Sequence, residues 1–182
     1  MFINFWYPVL MSKELLDAPQ RARILAQDFV VFRDAQGAAH VLSNTCIHRG
    51  GSLYGGKIRG DHIQCPYHGW QFDGAGACRK IPSLGTEARI PARTRIDAYP
   101  VVEKYGIVFA FLGDLPESER PPMLEVPEFE DPAWRATWIN FQVDYNYERS
   151  IENGMDAAHN EFVHPTHGFQ GQNEDYRVRD LR

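Results

Sequence analysis

Two short segments constrain this chain more than anything else in it: Cys46-Ile-His48 and, across the sixteen positions of residues 49–64, Cys65-Pro-Tyr-His68. Each offers one thiol and one imidazole at the close spacing of a metal-binding loop, so the fold must bring two loop tips together. Two thiolates and two imidazoles suit a [2Fe–2S] cluster in which one iron takes both sulfurs and the other both nitrogens. Neutral imidazoles in place of two thiolates remove negative charge and raise the reduction potential above that of an all-cysteine cluster. A structural zinc site also wants four nitrogen and sulfur ligands, but zinc modules usually pair like with like, as C-x2–4-C or H-x3–5-H. Mixed loops fit zinc poorly, and the chain reads as a redox protein.

The pattern around the loops is β. Between about residues 20 and 112, short β-prone runs alternate with turn signals. Residues 24–33 and 40–44 read as strands flanking the turn Asp34-Ala-Gln-Gly37. Residues 57–65 form a hairpin at Gly60-Asp61 that delivers Cys65 to a loop tip, and residues 70–72 turn through Asp73-Gly-Ala-Gly76. Residues 95–104 and 107–112 make a last hairpin around Tyr105-Gly106. Gly50, Gly51, Gly55, Gly56 and Gly69 permit tight turns and let backbone N–H groups approach cluster sulfurs. His40 and His62 fall in strands away from the ligand loops and read as ordinary surface or half-buried histidines.

Composition excludes several function classes. A formal charge of −5 gives no reason to propose nucleic acid or a membrane surface as partner. With 43% hydrophobic and 24% charged residues over 182 positions, there is apolar material for a proper core. The aromatic start Met1-Phe-Ile-Asn-Phe-Trp-Tyr-Pro-Val-Leu-Met11 lacks a basic region and a small-residue cleavage site, so it reads as an opening strand. Of three cysteines, Cys78 alone is uncommitted; no disulfide framework is expected, and a reducing cytoplasm is favoured. Arg89, Arg93 and Arg95 read as a solvated strand face or a dock for an acidic electron donor. No phosphate loop or nucleophile elbow appears, so reducing equivalents must come from a separate protein.

Residues 116–132, rich in proline and acid, read as a linker between a first domain, 1–115, and the start of a second, 133–182. Residues 134–147 read as a strand leading into the run Glu152-Asn-Gly-Met-Asp156-Ala-Ala-His159-Asn-Glu-Phe-Val-His164. On a helix at about 100° per residue, Glu152, Asp156 and His159 fall within roughly 60° of one another. Ile151, Met155, Ala158 and Phe162 occupy an adjoining apolar face. Pro165 biases His164 out of the helical region, so this second histidine is expected at the helix end, turned back toward the same metal. Two histidines and a carboxylate make the facial triad of a non-haem Fe(II) oxygenase, with positions left open for O2 and substrate.

With both constellations in view, C-I-H-R-G-G and C-P-Y-H-G-W resemble the Rieske domain of the Rieske non-haem iron (ring-hydroxylating) oxygenases. The resemblance implies a mainly β chain: a Rieske [2Fe–2S] β-sandwich or barrel, then the start of an α+β catalytic domain with an antiparallel sheet around a helix. It implies that Cys46 and Cys65 hold one cluster iron, His48 and His68 the other, and His159 and His164 a mononuclear Fe(II). Asp156 matches the acid that links the iron-ligand histidine of one subunit to a cluster histidine of its neighbour and serves the electron path. Respiratory Rieske proteins differ: where they carry an extra Cys pair and a Ser, this chain has Gly51, Tyr67 and Trp70. A low potential within the Rieske range follows.

The resemblance further implies a reductase or ferredoxin donor, a small aromatic substrate with O2, and a homo-oligomer, a trimer in the family. The third iron ligand would be a carboxylate far downstream; Asp175 and Asp180 come too early to match, and His167 is a reserve ligand. The chain thus resembles an α subunit cut short. A non-catalytic Rieske-type ferredoxin and an inactive fragment are the competing readings.

Overall fold

In the computed structural model, which describes residues 3–164, the run Phe29-Val30-Val31-Phe32 sets the layout of the first of two compact units, Met1–Trp134. Side chains of a strand alternate between faces. Here both faces are buried: Phe29 and Val31 enter one core with Val41, Val108 and Leu112, and Val30 and Phe32 enter another with Leu42, Ile63 and Phe72. A continuous apolar run suits a strand covered on both sides.

The described strands are β1 (Phe5–Met11), β2 (Gln20–Ile24), β3 (Gln27–Arg33), β4 (Ala39–Ser43), β5 (Lys57–Arg59), β6 (His62–Gln64), β7 (Gln71–Phe72), β8 (Cys78–Lys80), β9 (Ala98–Tyr99), β10 (Val101–Lys104) and β11 (Ile107–Leu112). They make three antiparallel sheets, ordered β1-β11-β10, β2-β3-β4-β9 and β5-β6-β7-β8. The middle sheet separates the two cores. One core contains Cys46 and Cys65 together with Phe32, Leu42, Leu53 and Ile63, each of the last four at 0% exposure. Each fully buried side chain of this size stabilises by about 1.5–3 kcal/mol. The ligand loops are thus anchored in apolar packing.

Three sequence expectations for this unit are corrected or refined. Residues 24–33 are a hairpin, not one strand: Leu25 and Ala26 both take left-handed backbone, with φ of 51° and 62°, so Ile24 pairs with Gln27. That two-residue turn usually announces itself with Asn or Gly. Residues 95–104 also break, because Pro100 has no N–H to donate. Before it, β9 pairs with β4; after it, β10 pairs with β11. The proline- and acid-rich segment lies strapped along the unit. Trp6 Nε1 donates to the Pro121 carbonyl at 2.9 Å, Val126 N donates to the Tyr105 hydroxyl at 2.7 Å, and Lys104 Nζ pairs with Glu125 at 2.8 Å.

In the second unit, Arg135–Arg182, the described residues from Tyr147 to Val163 are helical. Residues 134–147 form no strand before α1, since no ladder partner lies among the described residues, and Ile139 and Phe141 are 84% and 73% exposed. Helix α1 (Tyr147–Met155) starts on an Asn146 cap that accepts from Glu148 N at 3.0 Å. The expected continuous helix through His159 is broken. Asp156 ends α1 at φ −89°, ψ 89°, and its side chain accepts from Ala158 N at 3.1 Å, capping a 3-10 turn over Ala157–His159. Helix α2 (Asn160–Val163) follows, and His164 is extended at φ −95°, ψ 114°, as the following proline requires. No helix is long and apolar enough to cross a membrane among the described residues. His167, Asp175 and Asp180 lie outside them.

Candidate metal centres

Cys46 and Cys65 open two hairpins of the same construction. Cys46 N donates to Gly51 O at 2.9 Å and Gly50 N to Cys46 O at 2.9 Å; Cys65 N donates to Trp70 O at 2.8 Å and Gly69 N to Cys65 O at 3.0 Å. Gly50 and Gly69 close the two turns at φ of 70° and 72°, which side chains rarely tolerate. The hairpins superpose in sequence as C-I-H-R-G-G on C-P-Y-H-G-W, with the histidine one position later in the second. That offset aims two imidazoles at one place from equivalent turns: the His48 and His68 rings lie 4.5 Å apart between centroids, edge to face.

A residue that sequence reasoning passed over holds the first hairpin shut. Asn44, 7% exposed, accepts from Tyr54 N at 2.8 Å and exchanges hydrogen bonds with Ser52 Oγ, while its carbonyl accepts Leu53 N at 2.9 Å. An Asn immediately before a ligand loop, with a Ser just after it, was the available signal. Trp70, which the sequence marked only as a departure from the respiratory pattern, lies parallel to His48 with centroids 4.5 Å apart.

The pocket chemistry fits a [2Fe–2S] group. His48 Nδ1 is buried and makes no hydrogen bond within the protein. Burial holds the His48 imidazole below its ordinary pKa, aided by His68 and Arg49, which keeps it in the neutral form a metal requires. Cys46 and Cys65 are 1% and 2% exposed and unpaired in any disulfide. Burial pushes the Cys46 thiol up to about 11, with the Cys65 sulfur adding to the rise and the His48 N–H opposing it. A nearby cation favours the ionised form of a buried thiol, and a bound iron would supply that charge. The approach is close: a Cβ at Gly51 would stand 3.3 Å from Cys65 Sγ. Cys78, by contrast, is packed away and directs its Sγ toward the Lys80 carbonyl at 3.6 Å. His40 binds Asp34 at 2.7 Å, away from the loops.

In the second unit, His159 Nε2 and His164 Nε2 face each other at 3.1 Å. Two nitrogens each about 2.1 Å from one metal and at right angles about it would stand about 3.0 Å apart. The pair therefore fits two adjacent ligand positions. His159 Nδ1 is buried, and Asp156 Oδ2 stands 3.7 Å from it, on the side of the ring away from His164. A carboxylate behind a ligand imidazole fixes its orientation in many metal sites. Glu152 instead pairs with Arg149. No group of three or more His, Cys, Asp or Glu with metal-holding geometry occurs among the described residues.

Known proteins resemble this chain over most of its length. The family model of the Rieske [2Fe–2S] domain matches residues 5–104. The oxygenase component of 3-ketosteroid-9-alpha-monooxygenase from Rhodococcus rhodochrous is 35% identical over 170 residues, covering 90% of this chain and 44% of that protein. The oxygenase component of dicamba O-demethylase from Stenotrophomonas maltophilia is 35% identical over 164 residues, covering 88% and 47% respectively. The crystal structure of dicamba monooxygenase bound to dicamba matches with a TM-score of 0.76 at 32% identity, over 88% of this chain and 48% of that one. The chain spans a little under half the length of these curated relatives.

Proposed function

Since the chain belongs to the Rieske [2Fe–2S] domain family, we propose that it is the N-terminal part of an oxygenase component that hydroxylates or demethylates a small aromatic substrate. In this reading Cys46 and Cys65 hold one cluster iron, His48 and His68 the other, and His159 and His164 a mononuclear Fe(II). When bound, these groups supply one-electron exchange and O2 activation. Electrons come from a separate reductase or ferredoxin, the compartment is the cytoplasm, and the working form is a homo-oligomer.

The chain's own residues have distinct tasks. The paired hairpins hold the four cluster ligands at fixed spacing, and the core under them keeps water from the sulfurs. His48 and His68, at the loop tips, are the outlet on the imidazole side. Asp156 Oδ2 stands 3.7 Å from His159 Nδ1, a charge on the ring edge away from Nε2, which is left for metal. The convergence of the His159 and His164 Nε2 atoms carries the catalytic reading over that of a simple electron carrier, which has no use for them.

The test is the iron and acid-labile sulfide content of anaerobically purified protein, with and without a paired His159→Ala, His164→Ala change. About three irons and two sulfides, falling to two and two in the variant, support the oxygenase reading. Two and two in both forms would mean a carrier or an inactive fragment.

A further inference from the structure

The two histidines assigned to the second cluster iron are treated unequally by the fold. His68 is exposed, and besides His48 its ring meets Tyr67, tilted by 36°. His48 lies flat on Trp70, with planes 5° apart. Trp70 packs against the buried core, and its carbonyl accepts the Cys65 N–H. The indole is thus fixed by one hairpin while the imidazole it covers belongs to the other.

We infer that Trp70 is a positioning residue that fixes the plane of the His48 imidazole and holds down the reduction potential of the cluster. This rests on the ligand assignment proposed above. A cluster of two ferric irons, two sulfides, two thiolates and two neutral imidazoles has no net charge; adding one electron leaves it with one negative charge. Covering an imidazole face with an indole excludes water there, and developing charge is disfavoured where water is absent. The indole face is itself electron-rich. Both effects oppose the reduced form, so they act with the same sign, and removing the indole must raise the potential.

The experiment is an anaerobic dithionite titration of the full chain, followed by the absorbance and electron paramagnetic resonance of the reduced cluster, on wild type, Trp70→Leu and Trp70→Phe. Iron and sulfide are counted in each sample. Trp70→Leu is expected to favour the reduced form by up to about tenfold, which for one electron is about 59 mV, and to shift the resonance. Trp70→Phe covers less of the imidazole and is expected to give a smaller rise. An unchanged or lowered potential in Trp70→Leu with full iron and sulfide would overturn the inference. If Trp70→Leu loses its cluster, Trp70→Phe decides, and an unchanged potential there overturns it as well. Wild-type protein without two irons and two sulfides would overturn the ligand assignment, a failure seen in the counts before any potential is measured.

Discussion

The cysteine-histidine hairpins and the histidine pair of the second unit are both short ligand-bearing segments, yet they are held by opposite means. Around the hairpins, Leu53, Ile63 and Phe72 are at 0% exposure, and each turn is closed by two backbone hydrogen bonds. In the second unit Glu161 is the one described residue that is fully buried, and Ile151, Met155 and Phe162 are 54%, 75% and 63% exposed. A helix of nine residues with its apolar stripe uncovered draws little stability from itself. The first centre is preorganised by a core, whereas the second relies on caps and on Asp156.

The sharpest way to break the contrast is Cys65→Ser. It should abolish both cluster irons as read by sulfide content and visible absorbance, with no change in metal binding by His159 and His164; retention of a full cluster would show that Cys65 is not a ligand. Next comes Phe32→Ala, expected to destabilise the first unit by about 3–5 kcal/mol in chemical denaturation, because it opens a cavity where exposure is 0%. The same measurement on Asp156→Ala should show no change in the first unit and a loss of about 1 kcal/mol of stability in the second, the usual cost of a lost cap.

The smallest effect is on pH. The hydrogen bond from His40 holds the Asp34 carboxyl below the ordinary range, with backbone N–H groups of Ala38 and Gln36 adding to it against burial. The Arg33 hydrogen bond does the same for Glu103. A carboxyl depressed in the folded state stabilises fully above its unfolded value, about 4, and loses that stabilisation as pH falls through its folded value. Thermal midpoints should therefore drop on the acid side of about pH 4, and Asp34→Asn should flatten that drop. An unaltered acid limb would remove Asp34 from the account.

The ligand loops were legible because both partners of each loop lie within four residues, and local spacing is what a sequence states directly. The hairpin at Leu25-Ala26 was not, since neither residue favours left-handed backbone and only the pairing of β2 with β3 imposes it. The break at Asp156 was legible in principle, because aspartate competes for backbone N–H groups at helix starts, but the periodic stripe spoke more loudly. Trp70 on His48 and the Asn44 clasp are contacts made across loops, which no periodicity reports. Residues 134–147 carry strand-like alternation, yet alternation specifies a face and not a neighbour, and the ladder is what makes a strand.

The pairing of β1 with β11 joins Phe5 to Leu112 and Met11 to Ile107. On the ribosome, the first strand is therefore made long before its ladder partner β11 exists. Contacts of such long sequence separation form late, and until then the edge of β1 is exposed to rivals. The ligand hairpins, whose hydrogen bonds join residues four or five apart, can close meanwhile. A chain stalled before β11 is thus the species most exposed to misassembly.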